Sequence, residues 1–124
     1  MSNLDVINAF LEAINANDKD RIMSFFTEDS VFDNVPMGPV TGLAAIWEVL
    51  AMVHDIATGV DWKIHRLEQG PSGTVYSERT DRYEINGQWA EFRCAGIHEI
   101  DANGKIVLWR DYFDKEQGLA TMPR

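Results

Sequence analysis

Two strand-like stretches place ionisable residues where ionisable residues are costly. Side chains alternate across a strand, so position parity sorts them onto two faces. In residues 74–84, which include "YSERTDRY", the even positions are Thr74, Tyr76, Glu78, Thr80, Arg82 and Glu84, a face for water. The odd positions are Val75, Ser77, Arg79, Asp81 and Tyr83, the only face able to meet a core. Arg79 and Asp81 are therefore expected to point inward. In residues 106–113 the odd face holds Val107, Trp109, Asp111 and Phe113, apolar except for Asp111. In residues 31–36 the even face holds Phe32, Asn34 and Pro36, so Asn34 adds a further polar group to an apolar surface.

The chemistry follows from charge. With Arg79 between Asp81 and Asp111, the three charges sum to one net negative. Two carboxylates in a poorly solvated site resist ionising together. One shared proton leaves a carboxylic acid beside a carboxylate, a general acid and a general base at once, titrating as a unit. The bland reading is a satisfied buried ion pair. Against it, buried charges are costly, and clusters of them tend to mark sites. Trp109 shares the parity of Asp111, so its N–H could reach a carboxylate, although a plain core role is the simpler expectation. His98 falls on the face of Phe92, Cys94 and Ile100 and reads as a satisfied core histidine. Cys94 reads as packing, with no basic partner evident. Phe32, Leu50, Val53, Tyr83 and Phe113 suit an apolar pocket lining and suit a core equally well. Asp114 has the parity opposite to Asp111, and Cys94, His54, His65 and His98 lack metal-ligand spacing. No cofactor and no metal are implied.

The elements that must position these residues divide the chain in two. Leu4, Ile7, Phe10, Leu11 and Ile14 recur at helical spacing. Asp18 can cap a second helix to about Phe26, and Thr41 a third to about Ile56. The third presents Leu43, Ile46, Trp47, Leu50 and Val53 on one face. Its other face (Ala44, Ala45, Ala51, Met52) is also apolar and suggests cover on two sides. Between them "SVFDNVP" reads as a short strand and "PMGPV" as a loop. From "DWKIHRLEQ" onward the period changes to strands. "GPSG", "NGQ" and "DANG" supply turns, with Asn-Gly suited to a type I′ hairpin, and "KIVLWRDYF" is the last strand of an antiparallel meander. Residues 115–124 read as a tail. Helices first and strands afterwards predict an α+β fold with helices on one face of a mostly antiparallel sheet. The even face of the last strand (Ile106, Leu108, Arg110, Tyr112) is too apolar for plain solvent and is expected to form a subunit interface.

Totals bound the function. A length of 124 residues suits one domain spanning 1–124. The net charge of −9 argues against nucleic acid and anionic membrane surfaces. One cysteine excludes an internal disulfide and fits a reducing compartment, so the cytoplasm is expected. No signal peptide is evident, and "LAAIWEVLAMV" is too short to span a bilayer.

The pieces "ERTD" (Arg79, Asp81), "LWRDYFD" (Asp111) and "FDNVPM" (Asn34), in that arrangement, resemble the limonene-1,2-epoxide hydrolase family over nearly the whole chain. The resemblance implies the cone-shaped, nuclear transport factor two-like fold, of the SnoaL-like superfamily. It implies a homodimer, and cofactor-free addition of water to a small apolar epoxide, terpene-like or cyclic, giving a vicinal diol in one step. By the family's motifs Asp111 would be general base, Asp81 general acid, Arg79 the bridge between them, and Asn34 a holder of the water. The family also places a tyrosine two residues before the asparagine. This chain has Phe32 there, and a phenyl ring cannot hydrogen-bond water. The same fold hosts isomerases, cyclases and non-catalytic modules, so a proton-transfer enzyme and a small-ligand-binding module are the alternatives.

Overall fold

The chain begins with a helix that its first residues cap from both sides. The Ser2 hydroxyl accepts from Asp5 N–H while the Asp5 carboxylate accepts from Ser2 N–H, opening helix α1 (Asn3–Asn15). Its face of Val6, Ile7, Phe10, Leu11, Ala13 and Ile14 is buried. Asp18 caps a second helix, α2 (Lys19–Met23), through Arg21 N–H. That helix stops at Met23 rather than near Phe26, and Phe25 and Phe26 turn back onto Phe10. The computed structural model describes residues 1–123.

Strand β1 (Val31–Asn34) turns through residues 35–37 into β2 (Gly38–Thr41), where the sequence had suggested only a loop. Helix α3 (Leu43–His54) follows. Gly42, not Thr41, occupies its N-cap, and no side chain caps it. Ile46, Leu50 and His54 are buried, but Ala44 and Met52 are exposed, so the second face is not covered within the chain. The remaining strands are β3 (Gly59–Val60), β4 (Lys63–Gln69), β5 (Val75–Ile85), β6 (Gln88–Ile100) and β7 (Ile106–Phe113). Asn86 and Gly87 both take positive φ between β5 and β6, as a type I′ turn requires.

The sheet runs β2-β1-β7-β6-β5-β3, with β4 also on β5. The pairs from β4 to β7 are the expected antiparallel meander. The β1–β7 pair is parallel, and it sets Asn34 opposite Asp111 and Phe32 opposite Trp109. Ile7, Phe10, Ile14, Ile22, Ile46 and Leu50 of the helices, with Phe26 just after α2, pack against Val75, Tyr83, Ile85, Ile106 and Trp109 of the sheet.

Two expectations about the end of the chain are corrected. The β6–β7 register shifts at Glu99/Ile100, and Ile106 turns into the core with no exposed surface. A bulge of this kind resets side-chain parity, so Ile106 leaves the outward face proposed for it. Leu108, Arg110 and Tyr112 remain there, with Arg110 paired to Asp33 at 2.8 Å. The supposed tail contains a short helix, α4 (Lys115–Leu119), capped by Asp114. It packs against β6 through Gly118, where an added Cβ would lie 2.0 Å from the Phe92 ring. Beyond it, Thr121 bonds the backbone of Glu91.

Candidate active site

Strand β5 points its odd side chains inward along its whole length, and Arg79 is the central one. Arg79 is 1% exposed, Asp81 6% and Asp111 4%. The guanidinium grips Asp81 with a fork, Nε to Oδ1 at 2.9 Å and Nη2 to Oδ2 at 3.0 Å. The same Nη2 donates to Asp111 Oδ2 at 2.8 Å, so one cation bridges both carboxylates. Nη1 donates to Ser77 Oγ at 2.8 Å. The flat face of the guanidinium lies 4.7 Å from the Trp62 ring centre, a cation–π contact. Every donor nitrogen of Arg79 thus has a partner, which is the condition for burying such a charge.

Asp111 is held from a second side. Trp109 Nε1 donates to its Oδ1 at 2.8 Å. Trp109 is both core and ligand to the carboxylate. Its ring stacks on Phe32 at 4.1 Å and lies nearly parallel to His98 at 6.3 Å, which fixes the direction of the N–H. Phe32 is therefore committed to a ring stack, while its edge reaches the cavity described below. Asn34 sits across the parallel pair from Asp111, and its carboxamide has no hydrogen-bond partner among the described residues.

The meeting of these groups depends on Gly96. It pairs with Ser77 on one side and Asp111 on the other. A Cβ at this position would stand 2.5 Å from Asp111 Oδ1, 2.6 Å from Arg79 Nη1 and 3.0 Å from Ser77 Oγ. Only a residue without a side chain lets carboxylate and guanidinium close over the strand. A glycine inside a strand signals close approach of this kind, and that was the available cue in the sequence.

Electrostatics separate the groups. Burial raises the Asp81 carboxyl to about 6; the charge and hydrogen bonds of Arg79 oppose this, and the charge of Asp111 adds to it. Burial lowers His98 to about 3, helped by the Arg79 charge, so His98 is neutral. Its Nε2 meets Ser77 Oγ at 3.1 Å, but its Nδ1 is buried without a partner, so it is only half satisfied. Burial also raises the Cys94 thiol, which stays protonated and receives Arg79 Nη2 at 3.1 Å. Donor atoms of Asp81, Cys94 and Asp111 lie within 4.8 Å of one another. This does not suit a metal, because the Arg79 guanidinium already supplies the positive charge between the carboxylates.

Asp81 and Asp111 open onto a cavity of about 240 Å³. Phe32, Leu50, Val53, Tyr83 and Phe113 line it, together with Asn34. Trp62, Phe92, Leu119 and Met122 line it too and were not singled out from the sequence. Leu119 and Met122 belong to the segment read as a tail, whose Asp114 cap was the overlooked signal.

A family model described as the limonene-1,2-epoxide hydrolase catalytic domain matches residues 1–124. The chain belongs to the limonene-1,2-epoxide hydrolase family. Epoxide hydrolase EphG of Mycobacterium tuberculosis is 35% identical over 109 residues, covering 87% of this chain and 70% of that protein. The solved structure of a LEH-like epoxide hydrolase from M. tuberculosis superposes with a TM-score of 0.80 at 31% identity, covering 96% of this chain and 87% of that one. An NTF2-like protein of unknown function from Cytophaga hutchinsonii reaches a TM-score of 0.74 at 17% identity, covering 94% and 93%, a likeness of fold alone. The α+β cone of the nuclear transport factor two-like fold is thus the architecture of this limonene-1,2-epoxide hydrolase family member. Membership supports epoxide hydrolase activity in general.

Proposed function

We propose that this protein adds water to a small apolar epoxide in one step, without a cofactor, to give a vicinal diol. The observation that carries the proposal is a single buried guanidinium bridging two carboxylates at the wall of an apolar cavity, with an unpaired carboxamide beside one of them. Water sits between Asn34 and Asp111 in this reading. Asp111 takes a proton from it as the oxygen forms a bond to one epoxide carbon. The ring C–O bond breaks, and Asp81 gives its proton to the departing oxygen. One proton has then moved from Asp81 to Asp111, and it returns through the Arg79-bridged pair or solvent. The raised affinity of Asp81 for its proton fits the acid role. Asp81 opens onto the cavity with both oxygens already engaged by Arg79, which fixes the direction of donation. A homodimer formed through the outward face of β7 belongs to the same proposal.

Asp81→Asn and Asp111→Asn each lower kcat at least about a hundredfold, the usual scale for losing an acid or base. Near-normal diol formation by either variant sinks the assignment. A single turnover in ¹⁸O-water places label in the diol and none in the protein, whereas label in an aspartate would mean an ester intermediate. A proton-transfer isomerase would instead exchange deuterium into a ketone, which this mechanism does not do.

A further inference from the structure

The cavity wall carries a hydroxyl that the proposed reaction leaves unused. Tyr83 lines the cavity two residues beyond Asp81 on the same face of β5. At the usual strand rise that is about 7 Å further along. The residue is 6% exposed, and three rings hold it edge-on: His54 at 5.2 Å, Trp62 at 6.3 Å and Phe92 at 6.4 Å. Its hydroxyl makes no hydrogen bond to a described residue, and it is the sole side-chain hydroxyl among the described residues lining this cavity.

Its neighbours are also incomplete. Among the described residues three buried side-chain nitrogens lack a partner, and two of them, Trp62 Nε1 and His54 Nε2, belong to rings packed on Tyr83. His54 spends its other nitrogen on Asn17 at 2.9 Å. Leaving a buried polar group unmade costs about 1–3 kcal/mol. Such groups are uncommon in native structures, and two of them stand beside a phenol O–H that itself has no acceptor among the described residues. Phe92, which packs on Tyr83, is apolar, and so are Leu50 and Val53 in the same lining, whereas Lys115 adds a cation to it.

We infer that Tyr83 donates a hydrogen bond to an oxygen atom of the substrate, so that the substrate is an epoxide carrying a second oxygen function, a hydroxyl, ether or carbonyl, across an apolar body from the epoxide ring. The inference rests on the epoxide reading above. The Tyr83 phenol is kept neutral, hence a donor, by burial first and by the Asp81 charge second. The Trp62 N–H acts on the phenol oxygen from nearby without closing a hydrogen bond, which leaves the phenol O–H for the ligand. Asp81 at one end and Tyr83 at the other then fix which way round a substrate lies. A volume of about 240 Å³ is below the common range of about 300–1,000 Å³ for drug-sized ligands, so the body between the two oxygens is a single ring or a short branched chain.

The test pairs two epoxides of one ring skeleton, one bearing a ketone opposite the epoxide and one bearing hydrogen there. The wild type has the higher kcat/KM for the ketone-bearing epoxide, and Tyr83→Phe lowers that preference about tenfold, the scale of one hydrogen bond. Equal kcat/KM for the two substrates in the wild type overturns the inference, as does an undiminished preference in Tyr83→Phe. If neither epoxide yields diol, the epoxide reading fails, and the subsite is still decided by binding. A cyclic ketone and its parent cycloalkane are titrated against Trp62 and Trp109 fluorescence. Roughly tenfold tighter binding of the ketone, lost in Tyr83→Phe, supports the subsite, and equal affinities overturn it. A crystal structure with the ketone bound and a water still held between Tyr83 and Trp62 also overturns it, since the cluster would then be a structural water site. The wild-type comparisons need no variant, so a poorly folded Tyr83→Phe does not stop the test.

Discussion

Gly96→Ala gives a sharp test of how the site is assembled. The change adds one methyl group, far less than any change to the charged residues themselves. That methyl would stand 2.5 Å from Asp111 Oδ1 and 2.6 Å from Arg79 Nη1. Ordinary contact begins near 3.4 Å, so the oxygen must move by about 0.9 Å and the nitrogen by about 0.8 Å. Neither is a free side-chain end. Asp111 is tied to Arg79 and Trp109 at 2.8 Å each, and Arg79 is tied to Asp81, Ser77 and Asp111. A movement of that size stretches at least one 2.8 Å bond beyond hydrogen-bonding range. Hydrogen bonds to charged groups contribute about 1.5–3 kcal/mol each. We therefore expect a loss of about 2 kcal/mol, which for a domain of 124 residues lowers Tm by about 6–10 °C. Misplacing catalytic groups by about 1 Å costs on the order of a hundredfold in rate. Calorimetry and initial rates of diol formation measure both. A variant with the Tm and kcat of the wild type would refute the claim that the bridge needs a bare backbone at Gly96.

Three further outcomes follow from the same geometry. In the proposed mechanism Asp81 must carry its proton to act as acid, and burial has raised its carboxyl to about 6. Hence kcat/KM falls as pH rises through that region, approaching tenfold per unit, in a pH–rate series; a flat profile to pH 9 would remove Asp81 from the acid role. The sign is the same for stability: the folded pKa lies above the ordinary carboxyl value, so the stabilisation from this group is present below that value and is lost as pH rises through about 6. Phe32→Tyr restores the hydroxyl that the family pattern has beside the asparagine. Because Phe32 lines the cavity, kcat is expected to rise several-fold with the Tm little changed, and an unchanged or lower kcat would show that a hydroxyl at this position does not help to hold the water.

What the sequence determined by itself is whatever depends on short-range period and local hydrogen bonding. Alternation along 75–83 turned Arg79 and Asp81 inward, and all five odd side chains there are buried. The same parity put Trp109 and Asp111 on one buried face. Ser2, Asp18 and the Asn86–Gly87 pair set helix starts and a turn through bonds spanning a few residues. Tertiary structure decided what those faces meet. The parallel pairing of β1 with β7 set Asn34 against Asp111, a partnership between residues 77 positions apart that no local pattern encodes. A bulge at Glu99/Ile100 drew Ile106 inward, because one extra residue in a strand reverses parity beyond it. The contact of α4 with Phe92 brought Leu119 and Met122 to the cavity wall. Gly96 joined the two carboxylates to one guanidinium because β6 lies between them, and the strand order alone supplies that fact. Period fixes which way a side chain points; only the neighbour across the sheet fixes what it touches.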